Sequence, residues 1–326
     1  MRVIARRLLF YLVTAIVAVS LDFLIPRLIP GNPVDAILSR MQGVTISPAT
    51  IRSLDLQFGV DTHASVWTQY VHYWNNILHG NLGVSSGNGF EPVRNVILAA
   101  LPYTLGLVGV ATLISFVLGT VIGALIAWKR GGWLDNLLPA VTFFQAAPYF
   151  FLAFLAIDLF AITLGWFPTG LAHDSTDFPA FTWTYISDVL YHAVLPALTI
   201  VVASAAGWIV GMRNVMLTTM DEDYVLIAAA KGLSKGRVIW YAARNAILPS
   251  VSGFALAIGF IVSGALLTEI VFSYPGLGSL LLQAVSNNDY ALMQGLFLII
   301  TFAVLAANLI ADFVYVFLDP RTRQEA

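Results

Sequence analysis

Acidic side chains within apolar stretches are the residues of this sequence best suited to do chemistry. Glu269 and Asp158 lie near the ends of two such stretches, and Asp22 and Asp312 lie in two others. A carboxylate is costly to place in hydrocarbon, so it marks a transport pathway or a proton relay unless it bonds to a neighbouring helix. We interpret Glu269 as the main candidate for gating or lining a pathway. We favour structural roles for Asp22, Asp158 and Asp312, and retain Asp158 as a second pathway candidate.

The other residue types of the sequence give little support for a metal site or for covalent catalysis. The chain has no cysteine, which excludes a disulfide, a thiolate metal site and a thiol nucleophile. His63, His72 and His79 include no pair spaced three or four residues apart, so we expect solvated histidines and no metal site. An intramembrane hydrolase would need a His pair or a Ser-Lys set at matched depth, and we find neither within the apolar segments.

The elements that must position these residues are membrane helices. The 326 residues are 59% hydrophobic and only 10% charged, and a helix needs about 20 apolar residues to cross a bilayer. Charge-free segments run over 95–128, 136–157, 189–212, 245–268 and 290–311, and a sixth apolar segment, 8–29, contains only Asp22 and Arg27. The composition therefore predicts an all-α membrane protein with six transmembrane helices, the first of them retained rather than cleaved as a signal peptide.

The distribution of basic residues orients these six helices. If both termini are cytoplasmic, 12 of the 16 Lys and Arg residues lie on the inner side, as the positive-inside rule requires. We expect three regions. Residues 1–30 form the cytoplasmic N-terminus and the first span, 31–95 an extracytoplasmic loop subdomain with a helix starting at Ser47-Pro48, and 96–326 a core of five spans.

A polar stretch interrupts the core on the cytoplasmic side, where residues 228–249 read AAAKGLSKGRVIWYAARNAILP. Thr219 and Glu222 fit a capping box for a first short helix, and Gly232 fits its C-terminal glycine. Ser234 is suited to cap a second helix, which Pro249 closes. A helical hairpin of this kind predicts a docking site, with an interfacial amphipathic hairpin as the alternative.

The hairpin resembles the cytoplasmic EAA loop of ABC importer permeases. Leu226-Ile227-Ala228 stands at the triplet, Gly232 at the glycine, and Leu248-Pro249 at the Leu-Pro. The missing glutamate and the longer interval are similar to the oligopeptide, dipeptide and nickel branch of that family. Further segments resemble this branch in the same order along the chain: ARRLLFYL, LIPGNPVDAI, LHGNLGVS, ALPYTLGL, YHAVLPALT, TEIVFSYPGLGSLL and LDPRTR.

This resemblance implies a type I ABC importer permease of the inner membrane. It implies pairing with a second permease, as a heterodimer in this branch, two ATPase subunits on the EAA loop at about 213–250, and an extracytoplasmic solute-binding protein, with no nucleic acid involved. Lys129, Lys231 and Lys235 do not follow glycine in a P-loop pattern, so we expect ATP and Mg²⁺ on the ATPases and no cofactor in this chain. Short peptides are the expected cargo, with cello-oligosaccharides as the alternative.

The resemblance also implies two sets of site residues. Small residues at 228–230 are expected to present a face that enters an ATPase groove, and the FSYPGLG element to dip beneath the binding protein. The expected ATPase-coupling residues are Leu226, Ile227, Ala228, Ala229, Ala230, Lys231, Gly232, Leu233, Leu248 and Pro249. The expected pathway or gate residues are Glu269, Tyr274, Pro275, Gly276 and Asp158.

Two alternatives stay open at this point. An ion-coupled secondary transporter would move protons through Glu269 or Asp158, but it predicts matching discontinuous helices in two halves, for which we find no sign in the sequence. An aromatic group in the outer segment, Trp67, Tyr70, Tyr73 and Trp74, is suited to stack on sugar rings. An interfacial aromatic belt explains the same residues more simply.

Overall fold

A computed structural model describes residues 2–28, 64–174, 182–261 and 266–318. The predicted helix start at Ser47-Pro48, His63, and most of the LIPGNPVDAI and LDPRTR motifs lie outside these ranges. The helices are α1 (Arg2–Leu28), α2 (Val66–Leu78), α3 (Val93–Thr104), α4 (Val110–Trp128), α5 (Leu138–Ala146), α6 (Tyr149–Ala156), α7 (Trp183–Met220), α8 (Asp223–Ala230), α9 (Lys235–Ala246), α10 (Leu248–Ile261), α11 (Leu266–Val271), α12 (Leu277–Ser286) and α13 (Tyr290–Leu318). Within the described residues, extended pairing is limited to a single bridge between Val84 and Pro92.

Several of these helices are long and apolar enough to cross a membrane. Four candidate spans cover Arg6–Ile25, Val93–Trp128, Trp183–Met220 and Tyr290–Phe313. A bent pair, Trp133–Ala146 with Tyr149–Thr163, makes a fifth if it is counted as one span. The remaining predicted span, 245–268, includes four residues outside the described ranges, so the total of six remains a prediction.

The third predicted span is not one continuous helix. Its two halves, α5 and α6, meet at an angle of 103°. Ala147 and Pro148 are both extended at the junction, with ψ of 128° and 140°. Proline disfavours helical geometry in the residue before it and has no N–H to donate to the preceding turn. The expectation of an unbroken helix over 136–157 was therefore wrong, and Pro148 is the physical reason.

Contacts divide the chain into two compact units. Unit 1 comprises residues 1–104 and 275–306, and unit 2 comprises residues 105–274 and 307–326. In unit 1, α12 packs on α3, and the outer end of α1 packs on α2. In unit 2, α4 packs along α7, which also contacts α5, α6 and α9.

Two glycines allow α4 and α7 to approach each other closely. A Cβ atom added at Gly119 would lie 2.4 Å from the Cβ of Trp208. One added at Gly123 would lie 2.5 Å from the carbonyl oxygen of Ile209. Small residues four positions apart are typical of close helix pairs in membranes. We did not predict this contact, although the G-x-x-x-G spacing in the sequence could have revealed it.

Candidate functional site

The hairpin that the sequence predicts to be cytoplasmic consists of α8 and α9 joined by a tight turn. Gly232 has a φ of +76°, a left-handed conformation that glycine adopts without strain. Its N–H donates to the Ala229 carbonyl at 3.0 Å, and the Leu233 N–H donates to Ala228 at 3.3 Å. These two bonds form a Schellman motif, which satisfies carbonyl groups at the end of α8. The predicted role of Gly232 as the C-terminal glycine is confirmed.

The predicted start of α8 was wrong. Thr219 belongs to the last turn of α7, where its hydroxyl donates to the Val215 carbonyl at 2.8 Å. α8 begins at Asp223, and Glu222 is its N-cap residue without a side-chain cap bond. A hydroxyl bonded to its own helix is unable to cap the next one, so the capping box does not form. Ser234 is the N-cap residue of α9, as predicted, also without a side-chain cap bond.

Buried apolar side chains attach the hairpin to the C-terminal ends of two long helices. Val225 of α8 and Ala242 of α9 pack in one cluster with Ala127 of α4 and Met212 of α7. Met216 and Ala246 complete the buried part of the cluster. Through this cluster the hairpin packs directly against α4 and α7.

The outward face of α8 is apolar. Leu226 is 56% exposed and Ile227 is 53% exposed, and Ala229 and Ala230 are exposed beside them. Ala228 departs from the expectation of a small-residue face at 228–230, because it is buried against the chain's own core. Its position, three residues after Val225, places it on the inner side of the helix.

The other expected coupling residues lie around this face. The turn that ends α8 exposes Lys231 and Gly232, while Leu233 is half-buried. Leu248 and Pro249 occupy the first turn of α10 and are exposed, and proline is readily accommodated there because the first N–H groups of a helix lack intrahelical partners.

An ion pair that the sequence reasoning missed closes the neighbouring inner loop. The guanidinium Nη2 of Arg213 on α7 lies 3.2 Å from Oδ1 of Asp135. The other carboxylate oxygen of Asp135 accepts a hydrogen bond from the Gly131 N–H. The pair joins residues 78 positions apart, so no local sequence pattern predicts it.

The first part of the expected gate segment, residues 269–274, lies in unit 2 and is fixed by backbone hydrogen bonds. Glu269 on α11 is fully buried, and its carbonyl oxygen accepts a bond from the Tyr274 N–H at 2.8 Å. Ser273 between them has a φ of +49°, which is uncommon for a residue other than glycine. The Leu171 N–H donates to the Phe272 carbonyl at 2.9 Å. Within unit 2, these hydrogen bonds fix the conformation of the turn after α11.

The second part of the expected gate segment, which starts at Pro275, lies in unit 1 and is followed by a helix start with a buried hydrogen bond. Gly276 is the N-cap residue of α12, and the Leu277 N–H donates to the hydroxyl of Thr104 at 2.8 Å. Thr104 belongs to the ALPYTLGL motif, so two motifs quoted for the resemblance meet here. The bond satisfies an N–H that has no partner within its own helix.

The LHGNLGVS motif is anchored in unit 1 through Asp289. This buried carboxylate accepts hydrogen bonds from the Ser85 hydroxyl, from the Gly87 N–H at 2.9 Å and from the Leu292 N–H at 3.1 Å. The last of these caps the start of α13. Sequence reasoning missed Asp289, although its place before a long apolar helix is the signal of an N-cap residue.

The remaining predicted acids lie in different environments. Asp158 is exposed on a π-helical segment, Ile157–Thr163, that continues α6. Asp22 is buried in unit 1, and among the described residues its Oδ2 has no hydrogen-bond partner. No group of three potential metal-ligating residues lies close together in the described part of the chain.

The outer aromatic residues pack against α1. The ring of Tyr70 lies 5.2 Å from the ring of Phe23, centroid to centroid, and its hydroxyl is 2.7 Å from that of Ser20. Burial raises the pKa of Tyr73, with the charge of Asp22 adding to the effect. Trp67, in contrast, remains 70% exposed. Tyr70 and Tyr73 are thus packed within the protein, while the ring of Trp67 is exposed.

Comparison with known proteins identifies the family. The sequence model described as "Binding-protein-dependent transport system inner membrane component" matches residues 119–324. The di/tripeptide transport system permease protein DppB of Pseudomonas aeruginosa is 33% identical, over 99% of this chain and 98% of its own length. The oligopeptide transport system permease protein AppB of Bacillus subtilis is 31% identical, over 98% of both chains. The chain therefore belongs to the inner membrane components of binding-protein-dependent transport systems, and it is a multi-pass transport subunit rather than an enzyme.

Proposed function

We propose that this chain is a permease subunit of a peptide importer and forms the translocation pathway together with a second permease, in a heterodimer. The single observation that carries the proposal is the exposed apolar face of α8 on a hairpin packed against α4 and α7. Contiguous exposed apolar surface rimmed by polar residues marks a protein interaction site. Membership of a binding-protein-dependent family does not favour the ion-coupled alternative.

Family membership implies a solute-binding protein and ATPase subunits as partners. We assign the exposed face of α8 to an ATPase subunit, with Leu226 and Ile227 as the central contacts and Ala229 beside them. ATP and Mg²⁺ would then be bound by the ATPases, because the three lysines of this chain lack a P-loop context. The chain's own contribution is mechanical.

Coupling in this proposal is a rigid-body movement of the hairpin. Closure of the ATPases pushes on α8, and the cluster of Val225, Ala242, Ala127 and Met212 passes the displacement to α4 and α7. Packed interfaces respond to such a push by shifting between discrete arrangements rather than by deforming gradually. Ala228 acts in this transfer from its buried side, whereas Leu226 and Ile227 receive the push.

We place the gate in the segment from Glu269 to Gly276. Ser273 and Pro275 are exposed, whereas Glu269 and Tyr274 are buried. The exposed pair is therefore suited to meet the cargo or the binding protein, and the buried pair to hold the turn in place. Asp158 remains a second pathway candidate on its exposed π-helical segment.

The docking assignment is tested by placing charge on the exposed face. The double variant Leu226→Asp, Ile227→Asp should lower the amount of co-purifying ATPase at least tenfold, because two carboxylates would be desolvated in an apolar contact. Ser234→Asp is the matched control, since Ser234 is exposed and makes no cap bond. Thermal unfolding of each variant should match that of the parent protein. Retained ATPase binding in the double variant would contradict the assignment.

The cargo is tested with the complete transporter in proteoliposomes. Its relatives are named for di/tripeptide and oligopeptide transport, so we expect mixed short peptides, delivered by the binding protein, to stimulate ATP hydrolysis. Cello-oligosaccharides form the second arm of the experiment. Stimulation by sugars alone would contradict the peptide proposal and leave the docking result unaffected.

A further inference from the structure

One face of α9 combines two cations with two exposed aromatic rings. Arg237, Trp240, Tyr241 and Arg244 occupy positions i, i+3, i+4 and i+7, so they form a single stripe along the helix. Trp240 is 68% exposed and Tyr241 is 52% exposed, and both arginines are exposed. Exposed tryptophan next to arginine is unusual on a surface that faces only water, so the stripe indicates a partner.

The buried face of the same helix places it at the membrane boundary. Ala242 and Ala246 pack in one cluster with Ala127, which directly precedes Trp128 and Lys129 at the inner end of α4. At its C-terminal end, α9 is followed by the apolar helix α10 after a single residue. These two features predict that the stripe lies where the chain leaves the hydrocarbon.

Along the chain, the charge near the stripe is positive, and the nearest acidic residues are those that precede and start α8. The sequence has no acidic residue between Asp223 and Glu269, but it has Lys231 and Lys235 in addition to the two arginines. Among the ion pairs within the described residues, none includes Arg237 or Arg244. The guanidinium groups are therefore free to contact an anionic group on an external partner.

We propose that this stripe, Arg237, Trp240, Tyr241 and Arg244, binds the headgroups of anionic lipids in the cytoplasmic leaflet. Arginine forms bidentate hydrogen bonds with phosphate oxygens. Tryptophan and tyrosine rings sit at headgroup level, with the apolar part of the ring towards the acyl chains. The stripe lies on the side that the positive-inside rule assigns to the cytoplasm, where the leaflet is negatively charged. The hairpin then has two partners, protein on α8 and lipid on α9.

This inference requires the membrane location of the chain, not ATPase docking on α8, so the two proposals fail separately. A first measurement uses the absence of cysteine in the sequence. Trp240→Cys and Leu226→Cys are each spin-labelled in the full chain, in nanodiscs of phosphatidylcholine with phosphatidylglycerol. We expect the label at 240 to collide more with dioxygen than with an aqueous nickel chelate, and the label at 226 to show the reverse.

A second measurement compares lipid selectivity. Spin-labelled phosphatidylglycerol, diluted in phosphatidylcholine, reports the fraction of this lipid held by the protein. Arg237→Gln with Arg244→Gln should lower the affinity for phosphatidylglycerol on the order of tenfold. Lys231→Gln with Lys235→Gln removes the same charge away from the stripe and should retain most of the selectivity. Arg237→Lys with Arg244→Lys should recover part of it, because it restores the charge without the guanidinium.

Two results would overturn the proposal. One is a label at 240 that is open to the nickel chelate in the nanodisc and shielded only after the ATPase subunit is added, which would make the stripe an ATPase contact. The other is equal loss of selectivity in the arginine and lysine variants, which would mean a diffuse charge effect without a site. Thermal unfolding of every variant should match that of the parent protein, as expected for substitutions of exposed side chains.

Discussion

The contact between α4 and α7 in unit 2 and the segment around Asp289 in unit 1 are stabilised in opposite ways. Gly119 and Gly123 bring two helix backbones together without any side chain between them. Asp289, in contrast, holds its segment through a buried carboxylate that accepts three hydrogen bonds. The contact between α4 and α7 requires that no side chain lies between the two backbones. The segment around Asp289 requires the carboxylate of that one residue.

This difference has a consequence for how each region tolerates substitution. A backbone contact has no flexible side chain that could move aside, so even one added carbon forces the helices apart. The hydrogen bonds around a buried carboxylate can adjust slightly to a change in side-chain size. Removing the acceptor, however, leaves its donors without partners. The hairpin packs beside the close α4–α7 contact through apolar side chains, whereas α12, which starts in the proposed gate segment, is held by a buried polar group. We expect coupling to be sensitive to side-chain size, and the gate to be sensitive to side-chain polarity.

The largest effect is expected from Gly123→Ala. Its Cβ would lie 2.5 Å from the carbonyl oxygen of Ile209, so α4 and α7 must separate, at a cost of about 3 kcal/mol or more. The unfolding temperature in detergent should fall clearly, and folded protein should decrease. Gly211→Ala is the control, because no atom of the described residues lies within 4 Å of the added carbon. Equal stability of the two variants would contradict the close contact.

A somewhat smaller effect is expected from Asp289→Ala. The substitution leaves the Ser85 hydroxyl and the Gly87 and Leu292 N–H groups without their acceptor, which should cost about 2 to 3 kcal/mol. Denaturant unfolding of the purified protein measures the loss. Glu91→Ala removes an exposed carboxylate from the same unit and should change stability by less than about 0.5 kcal/mol. If both variants unfold alike, the polar network is not a stabilising feature.

The smallest of the three effects is expected from Thr104→Val. This substitution keeps the shape of the side chain and removes the oxygen that accepts from the Leu277 N–H, a loss of about 1 to 2 kcal/mol. Thr104→Ser keeps the oxygen and should stay closer to the parent protein. Transport by the complete complex should fall more in the valine variant than in the serine variant. The opposite order would indicate that size, not polarity, matters at the gate helix.

Local signals were sufficient for some parts of the hairpin and insufficient for others. Gly232 and Ser234 were predicted correctly, because turn and cap preferences depend on a few neighbouring residues. Thr219 was not, since α7 extends to Met220 and uses the threonine hydroxyl within its own last turn. The burial of Ala228 could not be predicted either, because it depends on packing against other helices.

The sequence by itself determined the class of this protein, the approximate position of several membrane helices, the ends of the hairpin turn and the resemblance to a family. Each of these follows from composition or from short-range preferences. The tertiary structure alone decided which side of α8 faces outward, that Glu269 is buried, and that Arg213 pairs with Asp135. It also brought Ser85 to Asp289, 204 positions away. Such contacts depend on which helices pack together, and no local pattern contains that information.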